Sequence, residues 1–268
     1  MAKKRILYVS QEITPYLPEN DLSKTSRFLP QAMNESGIDV RLFMPRFGCI
    51  NERRHQLHEV IRLSGMNLIV NDIDQPLIIK VASIPQARMQ VYFIDNEEYF
   101  KRKFTTEDKK GDFYSDNDER ALFFCRGVIE SVKKLGWSPD VIHCNGWMAS
   151  FLPMYLKKFY HDDPIFEKTK IVVSLYNQSF EGTLSDGLTD KLKFDGYSEE
   201  ELAGFEKVDY KKLAETAINY SDAVIKGSTE LDEDLLKLIE DSKLPTLEYS
   251  DGEYKEQYKP FYETLFEE

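Results

Sequence analysis

Ligands of open parallel α/β sheets bind outside the carboxyl ends of the strands. The chemistry of this chain is therefore sought where its short apolar runs stop, after Val9, Met44, His143, Leu175 and Lys226. Glu12 follows the first of these ends, His143 closes another with Trp147 just beyond it, and Asn177 follows Leu175. A carboxylate, an imidazole, an indole face and a carboxamide offer hydrogen-bond acceptors, donors and a stacking surface to a bound ligand. Asp116, Asn117 and Arg120 form a further polar group where a long helical pattern opens. Each also has a structural reading. Trp147 can anchor a helix start against the sheet, and His143 at the end of an apolar strand is preferred as a hydrogen-bonded core histidine. Asp116 or Asn117 can cap the helix with Arg120 as an ion-pair partner, and Glu12 and Asn177 can serve turns. His55 and His58 stand three apart near Glu52 and Glu59, a helical metal spacing, but they are not taken as a site, and no metal is expected.

The elements that must position these residues follow from local pattern. Lys4 to Ser10, Ile38 to Met44, Asp140 to Cys144, Lys170 to Leu175 and Asp222 to Lys226 read as short buried strands. Leu22 to Ser36 reads as a helix interrupted at Pro30 and stopped at Gly37. Ala121, Cys125, Val128 and Val132 recur at spacings of four and three, so a helix runs from near Asp116 to just before Gly136. Trp147 to Tyr160 and Lys211 to Tyr220 are also helical, as is Thr229 to Ile239, which opens on a capping-box pattern of Thr229 with Asp232. Val60 to Val70, Leu77 to Ser83 and Met89 to Asp95 are strand-like without helical period and predict an inserted antiparallel hairpin or meander. Gly182 to Ala203 predicts a surface loop. The order predicts an α/β fold, a Rossmann-like three-layer α/β/α parallel sheet with a small antiparallel insertion. Residues 1–250 read as one domain and 251–268 as an acidic crossover or tail.

Composition narrows the function. The chain has 268 residues, 35 Lys and Arg against 47 Asp and Glu, and a net charge of −12, which argues against nucleic acid. Seventeen acidic against eight basic residues fall between Glu206 and Glu268, so this stretch is either a solvated helical tail or a partner surface. No apolar run approaches the roughly 20 residues of a membrane span, and the basic start runs straight into a strand without a leader pattern. A cytoplasmic location is expected. Cys49, Cys125 and Cys144 lie far apart without metal spacing and read as reduced core residues.

Several short segments, in order, resemble the N-terminal half of a glycogen or starch synthase. Tyr8-Val9-Ser10-Gln11-Glu12-Ile13-Thr14-Pro15 is similar to that family's first strand and its Ser-Glu-x-x-Pro turn. Phe43-Met44-Pro45-Arg46-Phe47-Gly48 is similar to its Met-Pro-Arg-Tyr-Gly stretch. Tyr92-Phe93-Ile94-Asp95, Asp116-Asn117-x-x-Arg120, Pro139-Asp140-Val141-Ile142-His143 with Gly146-Trp147, Tyr176-Asn177 to Gly182, and Ser221-Asp222 leading to Ser228 continue the match. Asp251-Gly252 and Tyr258-Lys259-Pro260 loosely resemble the crossing into the family's second domain. The resemblance implies one half of a GT-B glycosyltransferase, with the active site in the cleft between two Rossmann-like domains. It implies transfer of glucose from ADP-glucose or UDP-glucose to an α-1,4-glucan, with retention and without a metal or other cofactor. The sequence ends where the second domain would begin, so transfer by this chain alone is not expected.

The departures from the family pattern lie on the donor side. Its Lys-Thr-Gly-Gly-Leu donor loop falls on Pro18, Glu19, Asn20, Asp21 and Leu22. Glycines there would let backbone N–H groups approach a diphosphate, and a lysine would offset its charge. Pro18 has no N–H, and Glu19 and Asp21 repel anions. Lys24 and Arg27 are the nearby basic candidates. Met148 stands at the family's active-site histidine, where a thioether offers none of the ring's hydrogen bonds and reads as packing. Tyr176 replaces a histidine before Asn177. The reading is a glucan-binding or regulatory domain that is not catalytic alone, with Glu12, Asp116, Asn117, Arg120, His143, Trp147 and Asn177 as candidate contacts. Its expected partners are an α-glucan such as glycogen, and a separate second-domain protein or another copy of itself. The alternatives are an active glycosyltransferase completed by that second domain, and a protein-interaction scaffold with no sugar function.

Overall fold

The computed structural model describes residues 3–267. In chain order the elements are β1 (Arg5–Ser10), α1 (Asp21–Glu35), β2 (Asp39–Pro45), α2 (Glu52–His55), β3 (His58–Glu59), β4 (Met66–Val70), β5 (Ile73–Ile84) and β6 (Met89–Asp95). Then come α3 (Glu97–Phe100), α4 (Asn117–Leu135), β7 (Val141–Asn145), α5 (Leu152–Phe159), β8 (Lys170–Leu175), α6 (Leu188–Phe194), α7 (Tyr210–Asn219), β9 (Ala223–Lys226), α8 (Glu233–Ser242), β10 (Thr246–Leu247) and α9 (Tyr254–Glu267). The strands β10-β9-β8-β7-β1-β2-β6 run parallel in that order. β5 continues the sheet antiparallel to β6, with β3 beyond it and β4 as its hairpin partner.

This is the expected α/β architecture, with one change in the insertion. Met89–Asp95 lies parallel to β2 on one side and antiparallel to β5 on the other, so it belongs to the main sheet and only β3 to β5 form the insertion. Central strands are covered on both faces, as their unbroken apolar runs require: Ile6, Leu7, Tyr8 and Val9 are all at most 1% exposed. α1 and α9 pack together on one face, while α4, α5 and α7 contact one another in succession.

Local expectations hold where a period or a stop signal is strong. α4 ends at Gly136, which takes the left-handed φ of 59° and returns its N–H to Val132 and Lys133. α1 runs unbroken through Pro30, because its buried face of Leu22, Leu29 and Met33 outweighs one missing backbone hydrogen bond. Trp147–Ala149 forms a short 3-10 turn, and the α-helix after it starts only at Leu152. The Thr229 capping box does not form, since α8 begins at Glu233 with Asp232 at its cap position and no side-chain cap bond. Gly182 to Ala203 contains α6. Cys49 is exposed, not core, while Cys125 and Cys144 are buried, and all three are free.

The acidic C-terminal stretch is not a solvated tail. α9 lies against α1, β7 and β10 and buries Tyr254, Tyr258, Tyr262 and Leu265 in the main core. Glu256 and Glu263 face outward while its tyrosine face supplies the layer that the sheet needs. Among the described residues, no helix is long and apolar enough to cross a membrane.

Candidate functional site

From β1 the chain moves outward to β2 and β6, then returns through α4 to place β7 on the other side of β1. The carboxyl ends of β1 and β7 therefore flank the point where the winding reverses, where open α/β sheets hold their ligands. Ser10 pairs with Asn145 at that point, and the Gln11 N–H donates to the Asn145 carbonyl at 2.9 Å. Gly146 follows with φ of 86°, and a Cβ there would lie 2.7 Å from Leu22 Cδ1 and 2.8 Å from Gln11 Cβ. A glycine is thus what lets the β7 turn close onto β1 and the first turn of α1. Gln11 Oε1 accepts from the Met148 N–H at 3.1 Å, and Met148 is fully buried as packing.

The turn between β1 and α1 is closed by its own side chains. Asn20 caps α1: its Oδ1 accepts from the Ser23 N–H at 2.8 Å, and the Asn20 N–H donates to Ser23 Oγ at 3.0 Å. Ser23 Oγ also donates to the Pro18 carbonyl at 2.8 Å, and Asn20 Nδ2 donates to Glu12 Oε2 at 2.7 Å. Burial pushes the Glu12 carboxyl up, partly offset by hydrogen bonds from Asn20 and Gln11. The helix N-terminus, elsewhere a ready anion site, here has a capped amide with Glu12, Glu19 and Asp21 around it. Arg27 is 5% exposed and donates to Gln31 at 2.6 Å, one turn further along α1, and its charge acts on Tyr16 of the turn. Asn20→Ala is expected to cost about 1 to 2 kcal/mol of stability, read as a lower urea midpoint; an unchanged midpoint would show that the cap contributes nothing.

The other candidates are held mainly by the protein itself. His143 is 0% exposed, with Nδ1 2.7 Å from Tyr262 Oη and Nε2 2.6 Å from Ser174 Oγ. Burial pushes its pKa down to about 3. It is a neutral core histidine and cannot touch a ligand. Arg120 is also 0% exposed. Its Nε donates to the Tyr99 carbonyl at 2.7 Å, its Nη1 to Asn117 Oδ1 at 2.5 Å, and its plane lies among Phe47, Phe100 and Tyr114. Burial lowers its pKa to about 10. Asp116 pairs not with Arg120 but with Arg102, in two hydrogen bonds of 2.6 and 2.5 Å, and makes no side-chain cap bond. Asn117 Nδ2 donates to the Thr106 carbonyl at 2.7 Å.

Trp147 is 4% exposed, with Phe113 at 5.7 Å and Phe180 at 5.1 Å between ring centres. Phe113 and Phe180 stack at 4.9 Å; Phe180 is buried and Phe113 half-buried. Asn177 ties the loops after β8 and β9 together, donating to the Glu230 carbonyl and accepting from the Asp232 N–H at 3.1 Å. Tyr176 is buried and donates to Asn145 Oδ1 at 2.9 Å. His55 ends α2 and packs on Tyr16, while His58 lies past the left-handed Gln56 on β3, so the two do not share a helix face. Among the described residues no three His, Cys, Asp or Glu side chains converge where a metal could be held.

Two grooves open on the carboxyl face on either side of Gly182. One, of about 530 Å³, is lined by Phe180, Tyr210, Lys211, Asp232 and Asp234 among others. The other, of about 480 Å³, is lined by Phe113, Ser115, Asn117, Glu181 and Ser185 among others. Sequence reasoning reached Asn117 and Trp147 but missed Phe113, Phe180 and Gln11, which sit in irregular segments without a period. Gly146, next to Trp147, was the available signal.

A family model described as the starch synthase catalytic domain matches residues 5–244. The chain belongs to that family. The glycogen synthase of Chlorobium luteolum is 38% identical over 189 residues, covering 70% of this chain and 39% of the relative. That of Chlorobaculum parvum is 35% identical over 229 residues, covering 84% of this chain and 46% of the relative. The starch synthase domain therefore spans less than half the length of the curated relatives it matches. Its fold is also that of the catalytic domain of starch synthase IV from Arabidopsis thaliana, solved bound to ADP and acarbose. That chain has a TM-score of 0.69 and 18% identity, over 84% of this chain and 45% of its own length.

Proposed function

We propose that this starch synthase domain works in α-glucan metabolism as a glucan-binding or regulatory domain that does not itself hold the sugar-nucleotide donor. The observation that carries the reading is the Asn20 capping box. Where a diphosphate would need free backbone N–H groups and a cation, the first turn of α1 is capped by its own asparagine and surrounded by carboxylates. Electrostatic stabilisation of a leaving diphosphate is usually the largest contribution such a site makes, and the carboxylates around this turn carry the same sign as the diphosphate.

The grooves beside Gly182 suit a glucan. They combine the half-buried Phe113 ring, which can lie against the apolar face of a pyranose, with carboxylates and hydroxyls for its hydroxyl groups. Candidate contacts pass accordingly from the buried Trp147, His143, Arg120 and Asn117 to Phe113, Phe180 and Asp232. A second GT-B domain or another copy of the chain is the partner that would complete a cleft.

Co-sedimentation with glycogen in the presence of labelled ADP-glucose tests this. Protein in the pellet without label above the no-protein blank is the expected result. Retained label would overturn the donor-side reading and restore a transferase, and protein remaining in the supernatant would overturn glucan binding.

A further inference from the structure

At the amino end of β2, away from the grooves just described, an otherwise acidic molecule gathers arginines. Arg41 stands on β2 one residue before the Leu42–Val91 pair, and Gln90 and Ser83 continue that row across β6 and β5. These three, with Asn34, Arg88 and Tyr92, line a groove of about 480 Å³ whose single lining carboxylate is Asp39. Asp39 already accepts from Trp137 Nε1 at 2.9 Å and lies 3.9 Å from Arg5 Nε. The Arg41 guanidinium lies over Trp137 at 4.8 Å, and its Nη1 is buried without a hydrogen-bond partner. Burial is the main cause that lowers the Arg41 pKa below its ordinary value; Tyr92 and Asp39 offset part of this, and Arg5 and Arg62 add to it. Arg88 is exposed and has no ion pair or hydrogen bond among the described residues.

Two arginines, Arg41 and Arg88, line the groove against one carboxylate that is already engaged by Trp137 and Arg5, which leaves a local positive field in a chain of net charge −12. The unpartnered Arg41 Nη1 and the unpaired Arg88 guanidinium would both be satisfied by an anion with several acceptor oxygens. We infer that this groove binds a phosphate-bearing small molecule, with its phosphoryl oxygens held between Arg41 and Arg88. The amide and hydroxyl wall of Asn34, Gln90, Ser83 and Tyr92 leaves room beyond the phosphate for a polar organic group. The site sits at the amino edge of the sheet, so it is separate from the α1 turn and from the grooves beside Gly182, and it stands whether or not the glucan reading does.

Calorimetric titration of the full chain with inorganic phosphate, glycerol phosphate and free glycerol at constant ionic strength tests the inference. Saturable binding of the phosphates but not of glycerol is expected, with quenching of Trp137 fluorescence because its Arg41 neighbour is engaged. Tighter binding of the ester assigns an organic phosphate, and equal binding assigns free phosphate. Arg88→Gln, at an exposed position that leaves the core untouched, should weaken either by about tenfold or more. No saturable binding up to about 20 mM, or unchanged affinity in Arg88→Gln, would overturn it.

Discussion

Gly48→Ala is expected to cost the fold about 3 kcal/mol or more, lowering the melting temperature by roughly 6 to 12 °C for a chain of this size. A Cβ at Gly48 would lie 2.2 Å from the Lys101 carbonyl oxygen and 2.3 Å from that of Arg102. Both are backbone atoms, so no side chain can turn aside, and one of the two segments must move. The segment that would move also carries Arg102, whose guanidinium grips Asp116. The damage should therefore reach the opening of α4 as well. Gly187→Ala provides the comparison, since its Cβ would come no closer than 3.4 Å to Ser185 Oγ. Thermal unfolding of the two variants beside the parent measures the difference, and equal midpoints for Gly48→Ala and the parent would refute the packing argument.

Acid should weaken the fold through His143. Its imidazole is buried neutral with a pKa pushed down to about 3, whereas an unfolded histidine takes its proton near 6.5. As pH falls, the unfolded chain binds that proton first. The stability so contributed is fully present above about pH 6.5 and is lost as pH falls toward about 3, at about 1.4 kcal/mol per unit and roughly 3 to 5 kcal/mol in all. Histidine ring NMR reads the cause directly: one imidazole should remain neutral at about pH 5, and its signal should be absent from His143→Gln. Titration of all four histidines above that pH would remove the argument.

Both predictions rest on residues that stand in recognisable sequence segments, where the core role of His143 could be read but not its partners, and the role of Gly48 not at all. Gly48 ends the Met44-Pro45-Arg46-Phe47-Gly48 stretch, but what excludes a side chain is the Lys101–Arg102 backbone, which the β6 to α4 loop brings over it. His143 closes an apolar strand, which already favoured a core role. Its two partners are Ser174, 31 residues away, and Tyr262, 119 residues away. The same contrast holds on the donor side. The substitutions at Pro18, Asn20 and Asp21 were visible as missing glycines and a missing lysine, whereas the capping of α1 by Asn20 and its grip on Glu12 emerged only from the turn's geometry.

The sequence by itself determined the parallel sheet, the α4 helix and its glycine stop, and the family, because each depends on patterns within a short window. Continuous apolar runs demand cover on both faces, a 3.6-residue period demands a helix, and a glycine at a left-handed position ends it. Only the tertiary structure decided which polar groups meet and which remain open. It paired Arg102 with Asp116, withdrew Arg120 from the surface, and folded the acidic C-terminal stretch back as α9 over the sheet. The physical reason is that desolvation belongs to the packed molecule: a histidine, an arginine or a tyrosine row is a ligand contact or a core group according to what distant segments lay over it.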